Sequence, residues 1–118
     1  MKTKSSIDLN YLEITFDGNK ETINIVLQSF IKNTPQLIKE LIGCMINETW
    51  GKVKQLAHKL KSSFITVGAK RMGDLLEKIL TESFVNNNAV VQALMKNIIE
   101  LSEQVFAEVN STIYSYGE

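Results

Sequence analysis

The chain has 118 residues, 44% of them hydrophobic, and 13 basic against 13 acidic side chains give it a formal net charge of zero. That length makes one domain able to bury its own core, and the balanced charge removes the strongly basic surface expected of a nucleic-acid binder. No apolar run approaches the roughly 18 residues of a membrane span. Residues 1–6 lead into no continuous apolar stretch of a signal peptide, so a cytoplasmic protein with no membrane association is expected. Cys44 is the single cysteine and His58 the single histidine, a pair too small for a disulfide or a zinc site.

In chain order, residues 1–6 read as a disordered tail and Ile7 to Leu12 as a short first helix. Asp17-Gly18-Asn19 is a turn, with Asn19 placed to cap the next helix. That second helix runs to about Asn47, with Ile23, Val26, Leu27, Phe30, Leu37, Leu41 and Met45 on its inner face. Pro35 lies inside it, and the missing amide hydrogen predicts a kink near Ile31. The phase is kept across the proline, so one bent helix is expected.

Trp50 to Val67 forms the third helix, whose apolar residues Val53, Leu56, Ala57, Leu60, Phe64 and Val67 recur at three- and four-residue steps. Gly68 stops it and permits a positive φ. Met72, Leu75, Leu76 and Ile79 mark a fourth helix ending near Phe84, and Asn86 to Asn88 a loop. The last helix turns Val91, Leu94, Met95, Ile98, Leu101, Val105 and Val109 inward and ends around Ile113, with residues 115–118 frayed. The expected fold is all-α: one domain over residues 7–114, an up-down-up-down four-helix bundle with a short extra N-terminal helix.

At about 100° of rotation per residue, His58 falls roughly 140° from the apolar stripe of the third helix and faces solvent. Lys61 lies beside it one turn on, and Ser62 is small enough to leave the ring unshielded. From Trp50 to Arg71 the charged residues are Lys52, Lys54, Lys59, Lys61, Lys70 and Arg71, with no acid among them. A lone surface histidine is ordinary and a charge run is usually a solvated face. Together they form a positive sector centred on an accessible imidazole.

The run Ala57-His58-Lys59-Leu60-Lys61-Ser62-Ser63, followed by Val67-Gly68, resembles the phosphorylation motif of histidine phosphotransfer (HPt) domains, the His-to-Asp relay modules of bacterial multistep phosphorelays. His58, Leu60, Lys61, Ser63 and Gly68 match that motif, and Trp50 matches a tryptophan often found before the histidine. The sequence departs from the family at Ser62, where Gly is usual, and at Leu80, where several members carry a glutamine that hydrogen-bonds the imidazole. Glu77 or Thr81 stands nearby as a substitute.

The resemblance implies a phosphocarrier without autonomous kinase activity, with His58 as the phosphoacceptor. Lys61, Ser62 and Lys54 would stabilise the phosphate, with no metal or cofactor of its own and magnesium supplied by the partner. Its partners would be response-regulator receiver domains and a hybrid sensor histidine kinase, met by a monomer. Docking needs apolar surface near the histidine. Ile65 and Lys59 are candidates, with Tyr11, Leu12, Ile25 and Ile31 around them; each apolar one equally suits a peripheral core, and for Ile25 and Ile31 that reading is the stronger. The rival reading is a helical scaffold in which His58 carries no phosphate. Nucleic-acid binding through the lysines is weaker still, for want of aromatic neighbours and a recognition helix.

Overall fold

The computed structural model describes the backbone of residues 5–84 and 88–117 and the side chains of residues 5–82 and 89–113. Five helices follow one another: α1 (Leu9–Thr15), α2 (Lys20–Ile46), α3 (Trp50–Thr66), α4 (Lys70–Phe84) and α5 (Asn88–Gly117). Among the described residues there is no strand. α2 packs on α3 and α5, and α4 packs on the same two, so the long helices close a ring around one core. Short connections make successive neighbours antiparallel, giving the up-down-up-down bundle.

The helix ends follow from capping. The Asp8 carboxylate accepts the Tyr11 amide hydrogen at 3.1 Å, and the Asn19 side chain accepts that of Thr22 at 3.0 Å, each satisfying an orphan donor of a first turn. At the end of α3, the Gly68 amide donates to Ile65 and the Ala69 amide to Phe64, both at 2.9 Å. This Schellman arrangement needs a left-handed residue, and Gly68 supplies it at φ +78°. Glu48 takes the same role after α2 at φ 57°, with the Thr49 amide donating to Cys44 at 2.9 Å.

The start of the chain differs from expectation. Because Asp8 is the cap, α1 begins at Leu9 instead of Ile7, and it runs past Leu12 to Thr15. Of the expected tail, residues 1–4 lie outside the described residues, while Ser5 and Ser6 are fixed. One carboxylate, Glu108 of α5, accepts the Ser5 hydroxyl at 2.7 Å, the Ser6 amide at 2.7 Å and the Ile7 amide at 3.3 Å. A polar composition hid a partner about a hundred residues away. At the other end α5 continues beyond Ile113 to Gly117, so residues 115–117 carry helical backbone where fraying was expected. Of the expected Asn86–Asn88 loop, Asn86 and Asn87 lie outside the described residues, and Asn88 opens α5.

The core face of α2 is Ile23, Leu27, Phe30, Thr34, Ile38, Leu41 and Met45. Val26 and Leu37, expected inward, sit one position off this stripe and are partly buried at its margin. The stripe crosses Pro35 without changing phase, and α2 is a single helix. Phe30, Phe64 and Phe106 stack α2, α3 and α5 together, with ring centroids 5.1 to 5.9 Å apart and an edge-to-face contact between the first two. Gln92 of α5 donates to the Met45 carbonyl at 2.6 Å, satisfying an acceptor near the end of α2.

Candidate functional site

α3 turns Val53, Leu56, Ala57, Leu60 and Phe64 into the core, and this anchoring fixes what its outer face presents. His58 is exposed. Among the described residues its imidazole has no hydrogen bond or ion pair, so no such partner occupies either ring nitrogen. Ser62, one turn on, is exposed, and its carbonyl accepts the Thr66 hydroxyl at 2.9 Å. The Ser63 hydroxyl folds back onto the Lys59 carbonyl at 3.3 Å, with Lys59 exposed beside it.

Lys61 lies one turn beyond His58, and its Nζ is bonded to Glu77 Oε2 of α4 at 2.8 Å. The acid-free stretch of sequence is therefore not an acid-free surface, because α4 brings a carboxylate across to it. Lys54, one turn before His58, is half-buried and also engaged by a neighbour. Leu80, where the sequence resemblance sets a glutamine of several family members, is a core residue at 8% exposure. The two expected substitutes do not orient the ring: Glu77 holds Lys61, and the Thr81 hydroxyl donates to the Glu77 carbonyl at 3.1 Å. The Lys61 contact of Glu77 comes from another helix, 16 residues away, whereas the Thr81 hydroxyl bonds back one turn along its own helix.

The docking candidates divide among three places. Ile65 and Tyr11 are each 39% exposed and share a groove of about 320 Å³ with Asp8, Gly68, Lys70 and Asp74. Ile65 rests against Gly73 of α4, where an added Cβ would lie 2.8 Å from its Cγ1. Ile25 is 58% exposed on a second groove of about 420 Å³ between α2 and α3, lined also by Phe30, Ser63, Thr66 and Val67. Leu12 is fully buried in the core and cannot meet a partner. The register of α1, set by Asp8, turns it inward. Ile31 is half-buried and packs on the core margin, outside the Ile25 groove.

Asp74 and Gly73 are not readable as site residues from the charge pattern, whereas Lys70 belongs to the positive sector. A glycine inside an otherwise helical pattern is the available signal for Gly73; Asp74 has none. Among the described residues no cluster of His, Cys, Asp and Glu suits a metal ion, and no helix is long and apolar enough to cross a membrane. Away from this face, Glu108 of α5 has a lowered pKa. Burial pushes that carboxyl up, and the hydrogen bonds from Ser5, Ser6 and Ile7 outweigh burial and hold it below its ordinary value.

No curated protein and no solved structure matches the chain significantly. The family model for the Hpt domain matches residues 25–107, well over half of the sequence, and the match takes in His58, Lys61, Gly68 and all of α3 and α4. An exposed histidine on the anchored third helix of an all-α bundle, inside that match, settles the family. The chain belongs to the Hpt domain family, the helical phosphocarrier modules of histidine phosphotransfer in phosphorelays, which interact with receiver domains and histidine kinases.

Proposed function

We infer that this chain relays a phosphoryl group between receiver-domain aspartates through His58. The observation that carries the reading is the unpartnered, exposed imidazole of His58 within the motif of the family, on a helix whose opposite face is locked into the core. Neutral imidazole is a competent nucleophile near neutral pH, since its unperturbed pKa is about 6.5. In the forward step a ring nitrogen attacks phosphorus, the P–O bond to the donor aspartate breaks, its carboxylate leaves and the ring proton passes to solvent. The reverse chemistry on a second receiver returns the group to an aspartate.

Such transfer depends on alignment and charge neutralisation more than on covalent help from the protein. Lys61 and Lys54 flank the ring by one turn on either side, and Ser62 leaves room for the incoming group. Magnesium belongs to the receiver pocket. Ile65, two turns beyond His58, and Tyr11 in the same groove offer apolar contact, Lys59 offers charge complementary to an acidic pocket, and Ile25 lines the groove between α2 and α3. The chain acts as a monomeric carrier in the cytoplasm, fed by a hybrid sensor histidine kinase and lacking a kinase activity of its own.

The test is transfer from phosphorylated receivers to the purified chain in the presence of magnesium. Lys61→Ala is expected to slow that transfer about tenfold, the size of one lost charge-assisted hydrogen bond, while the fold survives. Receivers that phosphorylate other acceptors and never this chain would replace the relay by a scaffold role.

A further inference from the structure

Lys61 and Glu77 stand 16 residues apart in sequence and join α3 to α4 through their 2.8 Å contact. Their side chains are 34% and 52% exposed, so water and salt screen the pair and its bond contributes little to stability. Lys61 is at the same time the neighbour of His58 on the next turn. A phosphoryl group on that ring carries nearly two negative charges and three strong acceptor oxygens, against the single charge and two oxygens of Glu77. A weak bond thus holds the cation that the phosphate would attract more strongly.

We propose that Glu77 is the counter-ion that phosphorylation displaces: the phosphoryl group on His58 takes Lys61 from Glu77, and Lys61 returns to Glu77 when the group departs. The inference rests on the phosphotransfer reading of His58 and makes Glu77 a positioning residue acting through Lys61. Two consequences follow from the exchange. Before phosphorylation the Lys61 charge is already compensated by Glu77. Afterwards the attraction of Lys61 for the phosphate is offset by the bond it has left, so the phosphoryl group is held less tightly and passes on more readily. The freed Glu77 carboxylate also marks the phosphorylated state on the surface of α4.

A small-molecule donor tests this without a receiver. The chain is held at a fixed ratio of phosphoramidate to ammonium. The N–P bond of the donor breaks, an N–P bond to the imidazole forms, and ammonia leaves with the ring proton as ammonium. The ratio of phosphorylated to free chain is then compared in the wild type, Glu77→Gln, Lys61→Ala and the double variant. Glu77→Gln is expected to raise the ratio about two- to fivefold, the range over which a surface pair shifts an equilibrium. It should have no effect once Lys61 is removed, as a double-mutant cycle requires of a residue acting through Lys61. The carboxyl carbon NMR resonance of Glu77 should move on phosphorylation toward its position in unphosphorylated Lys61→Ala, which a mere staple between α3 and α4 would not produce. An unchanged ratio in Glu77→Gln, or a Glu77 resonance that stays in place, overturns this proposal and leaves the relay reading standing. A wild type whose His58 takes no phosphate overturns both.

Discussion

The Asp8 amide donates to the Gly68 carbonyl at 3.0 Å, and a Cβ on Gly68 would lie 2.8 Å from the Asp8 carbonyl oxygen. The turn that ends α3 is therefore also the seat of α1. Gly68 serves two needs at once, a left-handed φ of +78° and a backbone approach that leaves no space for a side chain. Gly68→Ala is expected to lower stability by about 2 kcal/mol or more, combining the left-handed penalty with displacement of Asp8. Urea denaturation measures it, and a change under about 0.5 kcal/mol would show that the turn relaxes freely.

Gly73 is a different kind of close contact. Its neighbour is the partly exposed Ile65 side chain, which can swing outward, whereas the neighbour of Gly68 is backbone. Gly73→Ala gains helix propensity of about 1 kcal/mol and offsets it by moving Ile65. Thermal unfolding is expected to stay within about 1 kcal/mol of the wild type. Affinity for a receiver that docks on Ile65 should fall several-fold, measured by titration calorimetry. A variant with both unchanged would remove Ile65 from the docking surface.

Glu108 clamps the start of the chain and gives the fold a pH dependence. Its folded pKa lies below the ordinary value because its hydrogen bonds outweigh the effect of burial. The clamp therefore contributes fully above the unfolded carboxyl range, near pH 4.3, and its contribution is lost as pH falls through the lower folded value. Glu108→Gln should be less stable than the wild type by about 1 kcal/mol at neutral pH, allowing for screening. That gap should close in acid. Chemical denaturation at several pH values checks it, and a gap independent of pH would place the effect in packing instead of charge.

The bundle was legible because it rests on local regularities. The stripes of α3 and α5, the Asn19 cap and the Gly68 stop are written in three- and four-residue steps or in single residues with one conformational use. The sequence is silent where a partner comes from far along the chain: Glu108 holds Ser5 and Ser6, Glu77 holds Lys61, and the Asp8 amide bonds the Gly68 carbonyl where α1 begins. On α2 the apolar residues outnumber the places on one face, and packing chose Ile38 over Leu37. The exposure of His58 was readable from its angle to the stripe, while the carboxylate set against Lys61 depends on how α4 lies on α3.

The proposed relay stands or falls with His58 as the carrier of the phosphoryl group. Its most direct test mixes the purified chain with phosphorylated receiver domains and magnesium, then analyses the phosphate bound to the chain, with His58→Gln as the control. Phosphate that is labile in acid and stable in alkali is expected on the wild type and not on the variant. Phosphate of the same amount on His58→Gln, or none on the wild type while the same receivers phosphorylate other acceptors, would contradict it.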